Sequence, residues 1–299
     1  MKHIPVFKDE IVTLFRDVPE GFFIDATFGL GGHSKAIFET CKQKLQIIGI
    51  DCDQEIIMEA QRDLPFQFKI YHSNFEQLIN LIKKEKIEPI SGILFDLGLN
   101  SLHLDNSERG FSFQNRGPLD MRFDRALGIS LADQIADMDE KSIVKIIMKY
   151  GQERKARAIA REIVKSRPQD TISLADIVRK AVGPRWFVKS AARVFQAFRI
   201  FLNNEMEILK TALNGAIPVL QSGGRIAVVS YHSLEDGIVK RAFLLNSGKC
   251  FCGPNEPSCR CGSRKILQVL TKKPIQPGEE EIAMNPRSRS AKLRYAQRL

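Results

Sequence analysis

The 299-residue chain has no apolar stretch long enough to cross a membrane, and its first residues do not form a signal peptide. A membrane partner is therefore not expected, and the expected compartment is the cytoplasm. The six cysteines are expected there as reduced thiols, not as a disulfide framework. Internal repeats are also absent. Hydrophobic residues make up 43% of the chain, which is enough for one large domain or for one core with an inserted module.

A dinucleotide-binding Gly-x-Gly-x-x-Gly loop is missing as well. Instead, an apolar run ending at Asp25 leads into Gly29, Gly31, Gly32 and His33, and a helical pattern follows over residues 34–40. The glycines allow a tight turn and a close approach of the backbone to a ligand. His33 stands where a dinucleotide fold needs a small residue beside the pyrophosphate. The pattern favours a ligand with an adenosine but no phosphate, such as S-adenosylmethionine, over a plain strand–helix turn.

A second apolar run ends at Asp51, 20 residues after Gly31. An acid at the tip of the second strand usually binds ribose hydroxyls. We therefore predict that Asp51 binds a ribose and that Asp25 lies near the cationic groups of the same ligand.

The rest of the chain predicts a doubly wound α/β sheet with a helical insertion. Residues 105–125 are polar and without a clean period, and residues 130–200 show only helical periods. We assign 1–105 and 201–299 to the α/β core, and 106–200 to an inserted substrate-recognition domain. The other predicted elements are strands at 67–73, 91–98 and 225–230, helices at 75–85 and 203–221, a helix end at 222–224, and a closing strand pair at 265–271 and 291–297.

The net charge of +10 is unevenly distributed. Residues 141–200 hold 15 Lys/Arg and 4 Asp/Glu, and residues 240–299 hold 13 and 4, so these segments carry +11 and +9 and the remainder −10. Either segment alone is typical of solvated helix faces. Two such segments beside a nucleotide-binding pattern favour a nucleic-acid partner.

Six further motifs complete a pattern. They are DLGLNS (96–101), ERGFSF (108–113), GPLDMR (117–122), FQAFRI (195–200), SYHSLED (230–236) and NPRSRSAKLR (285–294). Together they closely resemble the bacterial ribosomal small-subunit RNA methyltransferase H family over nearly the whole chain, from His3 to Arg298.

The resemblance implies a class I methyltransferase (Rossmann-like) core with an inserted all-helical domain. It implies S-adenosylmethionine as the cofactor and the N4 amine of a cytidine in 16S rRNA, at the decoding (P-site) region of the assembled small subunit, as the substrate. The oligomeric state stays open, with a homodimer as one option. The residues implied to surround the cofactor are Gly31, Gly32, His33, Asp51, Phe75 and Asp96, with His103 where the family tends to have glutamine.

Three polar residues are candidates for the chemistry. Many amino-methyltransferases carry an Asp/Asn/Ser-Pro-Pro-aromatic motif after the fourth strand, whereas this chain has Asp96 there without the prolines or the aromatic residue. Asp96 is therefore a candidate acceptor for the amine protons, beside nearby backbone carbonyls. His232 lies at the carboxyl edge of the predicted sheet, with a helix cap as the alternative. Asp120 is the third candidate, with a salt bridge to Arg122 as the alternative.

Several side chains keep two interpretations. Phe75 could stack on adenine or pack in the core, and Phe111, Phe113 and Trp186 could stack on bases or pack likewise. Cys250, Cys252, Cys259 and Cys261, with a turn at 253–257 between the pairs, leave a structural zinc open, but we assign no metal because the family implies none. The competing functions are a DNA or other RNA amino-methyltransferase and a non-catalytic ribosome-assembly factor. A nicotinamide oxidoreductase is weaker because the dinucleotide loop is missing.

Overall fold

A computed structural model describes residues 5–41, 44–62, 64–65, 67–253, 256 and 258–299. His3, where the resemblance begins, and Pro254, Asn255 and Pro257 of the predicted turn between the cysteine pairs lie outside these residues. The chain divides into two compact units. We call Met1–Gly98 with Met206–Leu299 the core unit, and Leu99–Glu205 the helical unit. Among the described helices, none combines the length and the apolar character needed to cross a membrane.

The core unit is built on a seven-stranded sheet in the order β3-β2-β1-β4-β5-β7-β6. The strands are β1 Gly21–Asp25, β2 Leu45–Asp51, β3 Lys69–His72, β4 Ile90–Asp96, β5 Leu220–Ser230, β6 Leu267–Val269 and β7 Lys292–Arg298. Strands β1 to β5 pair in parallel, and β7 is antiparallel to both β5 and β6. Because the strand order reverses at β1 and β4, the carboxyl ends of these strands border the crevice in which such sheets bind ligands.

The described helices alternate with these strands and then occupy the insertion. They are α1 Lys8–Arg16, α2 Gly32–Thr40, α3 Gln54–Gln61, α4 Leu78–Glu85, α5 Ser101–Asp105, α6 Leu131–Ala136, α7 Glu140–Ile146, α8 Ala156–Ser166, α9 Thr171–Val182, α10 Phe187–Leu202, α11 Glu205–Val219, α12 Ser233–Asn246 and α13 Glu279–Met284. Short 3-10 helices cover Phe75–Gln77, Ser107–Arg109, Pro184–Trp186 and Pro286–Ser290, and Ile147–Gly151 is a π-helix.

Both faces of the sheet are covered, which explains the nearly continuous apolar runs of its strands. Alternate residues of a strand point to opposite faces. Phe23, Ile47 and Leu94 accordingly pack with α1 and α2 in one cluster, whereas Ile24 and Ile48 pack with α4, α11 and α12 in another. The sheet therefore holds its strand ends rigidly, and the loops that follow them are well placed to carry function.

The helical unit has a separate apolar core, and its described secondary structure consists of helices and one isolated bridge, Pro118↔Asp170. Several of its helices begin with side-chain caps that the sequence encodes locally. The Asp170 side chain accepts from Ser173 N–H at 2.8 Å in a full capping box, and Ser130 and Asp139 cap α6 and α7. The buried side chains of this core include Leu131, Ile143, Ile159, Leu174, Val194 and Phe198.

Most predicted elements are present with bounds shifted by a few residues, but one predicted helix end is not. The prediction that residues 222–224 end a helix is wrong, because α11 ends at Val219 and these residues belong to β5, whose pairing with β4 shifts between Ile90 and Gly92. Gly223, with φ of 80°, follows a strand irregularity and not a helix terminus. The compact helical unit spans Leu99–Glu205, and the assignment of 106–200 to a substrate-recognition domain stays a prediction. Asn203 explains its far end, since this side chain donates to Met121 O and accepts from Phe123 N–H, both at 2.9 Å.

Candidate active site

Three acids occupy the carboxyl ends of the adjacent strands β2, β1 and β4. Asp25 is level with Gly49 of β2 and Leu94 of β4, so Asp51 and Asp96 lie two residues further along their strands. Residues in register, and residues two apart on one strand, face the same side of a sheet. The three carboxylates therefore belong to one face of one sheet edge, at the point where the strand order reverses.

The glycine turn after β1 brings the backbone against this edge. Gly29 and Gly31 have φ of 54° and 72°, values that favour glycine. A Cβ on Gly31 would lie 2.6 Å from the Phe28 ring, and one on Gly32 would lie 2.5 Å from Cγ of Pro5. The turn is thus closed to larger residues, and it directs the start of α2 toward the acids.

Asp51 is held by backbone amides. Its Oδ2 accepts from Gly29 N–H at 2.8 Å and its Oδ1 from Asp53 N–H at 3.0 Å, while the side chain stays partly exposed. Each carboxylate oxygen can accept a second hydrogen bond. The geometry fits an acceptor for two hydroxyl groups, which is what a ribose offers.

Asp25 is fully buried and accepts from the Ser34 hydroxyl at 2.7 Å and from Thr27 N–H at 3.4 Å. Burial raises its pKa to about 6, against the opposing effects of His33 and the Ser34 hydrogen bond. These contacts tie β1 to the turn and to α2. The expectation that Asp25 lies beside a cationic ligand group stays a prediction, and the contacts seen are structural.

His33, in the first turn of α2, has a buried ring nitrogen, Nδ1, without a hydrogen-bond partner among the described residues. Its Nε2 lies 3.4 Å from Asp96 Oδ2 without hydrogen-bond geometry. Buried polar atoms in native structures nearly always have a partner. A polar group of a bound cofactor would supply one, so the turn fits S-adenosylmethionine on an observation independent of the acids.

Asp96 is positioned from three sides. Its Oδ1 accepts from the Tyr231 hydroxyl at 3.0 Å, its backbone N–H donates to Thr27 Oγ1 at 2.6 Å, and Gly98 N–H approaches Oδ1 at 3.4 Å. Burial, together with the adjacent Asp96 charge, raises the pKa of Tyr231 well above its usual value, so the phenol remains a donor. Asp96 is therefore oriented and only partly exposed.

Sequence reasoning missed Tyr231. Its ring packs against the loop after Asp96, where a Cβ on Gly98 would lie 2.7 Å from it. Asp96 pairs with Val229 in the sheet, so Tyr231, two residues later, continues on the same side. The pairing of β4 with β5 would have been the signal. Asp96 and Tyr231 are 135 residues apart in the sequence, and local patterns cannot show that their strands are neighbours.

His232 caps a helix, which is the alternative that the sequence left open. It is the N-cap of α12, where its Nδ1 accepts from Glu235 N–H at 3.4 Å and the Glu235 carboxylate accepts from His232 N–H at 3.3 Å. Asp236 in the same turn pairs with Arg294 of β7 at 2.6 Å. These contacts anchor α12 to the sheet, and a catalytic role for His232 stays a prediction.

Phe75 opens the 3-10 helix after β3 and meets Phe95 edge-to-face at 5.6 Å between ring centroids. It is partly buried and packs on the apolar core. The core interpretation is therefore seen directly, and stacking on adenine stays a prediction.

Asp120 and His103 belong to the helical unit. The Arg122 guanidinium donates to both oxygens of Asp120, at 2.7 and 3.0 Å, and Arg125 Nε lies 3.4 Å away. This is the salt bridge expected as the alternative to catalysis. His103 is buried against Phe111 and Phe123, with ring centroids 5.0 and 5.5 Å away. The core unit thus brings together His33, Asp96 and Tyr231, while the catalytic role of Asp120 and the cofactor contact of His103 stay predictions.

Comparison with known proteins identifies the family. The profile of the MraW methylase family matches residues 1–299. Three proteins named "Ribosomal RNA small subunit methyltransferase H" are similar along their lengths. The protein of Caldicellulosiruptor saccharolyticus is 45% identical and covers 100% of this chain and 99% of its own. That of Dehalococcoides mccartyi strain 195 is 42% identical, covering 99% and 86%, and that of Syntrophotalea carbinolica is 40% identical, covering 100% and 98%.

These relatives confirm the resemblance drawn from the motifs. The sheet order and the helical insertion confirm the predicted class I methyltransferase fold. The chain belongs to the MraW methylase family.

Proposed function

We propose that this protein transfers the methyl group of S-adenosylmethionine to the N4 amine of a cytidine in 16S rRNA, at the decoding (P-site) region of the small ribosomal subunit. Family membership and the names of the relatives support an rRNA substrate. The cytosine N4 specificity rests on the resemblance of the motifs. An enzyme acting on ribosomal particles would work in the cytoplasm.

The residues that would hold the cofactor are Gly31, Gly32, His33, Asp51 and Phe75, with Asp96 at the reacting end. Asp51 would accept hydrogen bonds from ribose hydroxyls, and His33 Nδ1 would meet a polar group of the amino-acid part. When bound, S-adenosylmethionine supplies a methyl group already activated by its sulfonium. The protein must therefore contribute alignment and acceptors, and it needs no strong base.

Asp96 is the proposed acceptor at the reaction centre. Cytosine N4 is a poor nucleophile because its lone pair is delocalised into the ring, and alignment can contribute about 7–11 kcal/mol to such a step. The Tyr231 hydroxyl donates to Oδ1 of Asp96, and Oδ2, which lies 3.4 Å from His33 Nε2 without hydrogen-bond geometry, would accept a hydrogen bond from the amine as it becomes tetrahedral. Tyr231 is accordingly a positioning residue, and Asp96 the catalytic one.

The helical unit offers an RNA-binding surface. All its Lys and Arg between residues 141 and 193 except Arg167 are exposed. Trp186 is 54% exposed with the Arg185 guanidinium 5.2 Å from its ring, an arrangement suited to stacking on an unpaired base. Phe111 and Phe113 are instead part of the apolar core and its margin. Because the target base must leave its stack, an assembled particle that already presents it should be preferred over free RNA.

The observation that carries this function is the group formed by His33, with its buried unpartnered Nδ1, and Asp96, held by Tyr231. The test offers the protein two substrates in separate reactions, small-subunit particles that lack the modification and double-stranded DNA, with the product nucleoside identified by mass spectrometry. The expected product is N4-methylcytidine at one position. A product on DNA alone would favour the DNA amino-methyltransferase, and particle binding without methylation would favour an assembly factor.

A further inference from the structure

The connection between α12 and β6 gathers four thiols that the active site does not use. Cys250 and Cys252 lie on its first part, and Cys259 and Cys261 on its second. The four Sγ atoms all lie within 4.8 Å of one another. No disulfide joins them. Two Cys-x-Cys pairs have therefore converged in space from separate stretches of the loop.

The sulfur distances match a shared metal ion better than a disulfide. Cys250 Sγ lies 3.7 Å from both Cys259 Sγ and Cys261 Sγ, and the last two are 3.4 Å apart. A disulfide bond needs about 2.05 Å. Four sulfurs at the Zn–S distance of about 2.3 Å form a tetrahedron with edges of about 3.8 Å. The observed separations are close to those edges.

Backbone amides point at the sulfurs in the way that thiolates require. Phe251 N–H donates to Cys261 Sγ at 3.3 Å, Cys252 N–H to Cys250 Sγ at 3.4 Å, and Arg260 N–H to Cys252 Sγ at 3.2 Å. Such outer contacts orient metal ligands and favour their charged form. Lys249, Arg260, Arg264 and Lys265 add positive charge to the same connection, which would offset the formal charge of about −2 of a zinc ion with four thiolates.

The loop has no buried residue of its own among its described residues between Ser247 and Ile266. Its ends are held by the bridge Ser247↔Lys265 and by hydrogen bonds from Arg264 N–H to Leu245 O and from Ile266 N–H to Asn246 O, and Arg241 lies over the Phe251 ring. Connections of this length without secondary structure are uncommon in compact domains. Metal binding supplies folding free energy where a hydrophobic core is missing. The loop leads directly into β6, so its order bears on the edge of the sheet.

We propose that Cys250, Cys252, Cys259 and Cys261 bind one structural Zn²⁺. Four thiolate donors favour zinc among the common divalent ions, and a closed set of four protein ligands, without a position for water, is typical of a structural site. The ion would organise the α12–β6 connection and present its basic side chains. The inference is independent of the methyl-transfer function proposed above.

The test is the metal content of the full-length protein, reduced and reconstituted with Zn²⁺ under anaerobic conditions and then freed of excess metal. Mass spectrometry of the metal is expected to give about one zinc per chain. Cys52→Ser, which removes a thiol outside the cluster, should keep it. Cys259→Ser should lose it, and Cys259→His, which restores a ligand, should recover it.

Two further readouts do not depend on how well the variants fold. Co²⁺ added to the reduced parent protein should give the intense visible and near-ultraviolet bands of tetrahedral cobalt–thiolate coordination. Chelation should speed tryptic cleavage after Arg260 and Arg264 by about tenfold or more, since the loop loses its anchor. A reduced parent that retains no zinc and gives no cobalt–thiolate bands would overturn the proposal, and so would undiminished zinc in Cys259→Ser.

Discussion

Asp25 of the core unit and Asp120 of the helical unit are both buried carboxylates, 2% and 5% exposed, yet their pKa values shift in opposite directions. Asp25 has a hydroxyl and an amide as partners, and burial raises its pKa to about 6. Burial acts on Asp120 in the same sense, but the hydrogen bonds and charge of Arg122, with Arg125, outweigh it and lower the pKa.

The difference lies in the kind of partner that each carboxylate has. The Asp120 carboxylate is matched by a guanidinium within two residues, so it stabilises its own loop. At the sheet edge, amides donate to Asp51 and the Tyr231 phenol donates to Asp96, while His33 Nε2 lies 3.4 Å from Asp96 Oδ2. Arg122, by contrast, forms a bidentate pair with Asp120. The predictions below test this contrast.

The largest effect is expected for Asp96→Asn. The amide keeps the shape of the side chain but loses the negative charge proposed to accept a hydrogen bond from the amine, and removal of one such preorganised group costs about 10²–10³ in rate. The measurement is the single-turnover rate on assembled particles, with urea unfolding as the stability check. Asp17→Asn, at an exposed helix end, is the matched control and should be silent. A near-normal rate would remove Asp96 from the mechanism.

Asp51→Ala should weaken S-adenosylmethionine binding by about 2–4 kcal/mol, because two charge-assisted hydrogen bonds to the ribose are lost. Asp53→Ala is the control two residues away. Asp53 is buried and caps α3, so its loss should cost about 1 kcal/mol of stability but little affinity. Calorimetric titration of both variants with S-adenosylmethionine separates the two roles. If folded Asp51→Ala binds S-adenosylmethionine as tightly as the parent protein, Asp51 does not bind the cofactor.

Asp25 predicts a pH dependence of stability. Its native pKa of about 6 exceeds the ordinary 3.8, so between these values the native state binds more protons than the unfolded state, and the free energy of unfolding falls as pH rises from about 4 to 6. The total is about 3 kcal/mol. Asp25→Asn should flatten this part of the profile in urea unfolding at a series of pH values.

Asp120 should give a slope of stability against pH opposite in sign to that of Asp25. Because its pKa is lowered, its contribution is present above the unfolded pKa and is lost as the pH falls below that value. Asp120→Asn should therefore change stability at neutral pH and leave the slope between pH 4 and 6 intact. If the parent and Asp25→Asn proteins had parallel profiles over that range, the contrast between the two carboxylates would fail.

How much the sequence predicts depends on how local each feature is. The glycine turn and the strand-end acids come from residues within a few positions of one another, and the sequence predicts them. The His232 cap and the Asp120–Arg122 pair are also local, so each could be stated as an alternative. The Asp96–Tyr231 contact joins residues 135 apart and follows from the pairing of β4 with β5. The strand start at Leu220 was also missed, because it depends on the pairing of Leu220 with Ile90 of β4. Helix α11 ends at the preceding residue, so the local pattern gives no sign of the change.

Tyr231→Phe tests that long-range contact directly. The ring and its packing on Gly98 are kept while the hydroxyl that orients Asp96 is lost, so the methylation rate should fall by about tenfold, as for a hydrogen bond of 1–1.5 kcal/mol. Tyr71→Phe is the matched control, because its hydroxyl also donates to a carboxylate, Glu85, at 3.2 Å but on the surface. If the single-turnover rate of Tyr231→Phe is unchanged and only KM changes, Tyr231 does not position Asp96.

The smallest single effects are expected from the basic surface, where each phosphate contact contributes about 0.7 log units of affinity per log unit of salt on single-stranded RNA. The side chains of Arg154, Lys155 and Arg157 are exposed and have no acid within ion-pair distance among the described residues. Replacing all three by alanine should lower the salt slope by about 2 if each contacts a phosphate.

Arg179 and Lys180 form the matched control on the same unit, since each already pairs with an acid, Asp176 at 2.9 Å and Glu162 at 3.2 Å. Their replacement should change the slope less, because their charge is partly neutralised before RNA arrives. Charge reversal at Arg287 and Arg289 extends the same test to the second basic segment. Rates on assembled small subunits and on short free RNA, compared at matched salt, complete the experiment. Equal rates on the two substrates, or a salt slope that none of these variants alters, would mean that the basic segments do not bind a large RNA. The difference between side chains that pair with an acid and those that do not would then have no effect on RNA binding.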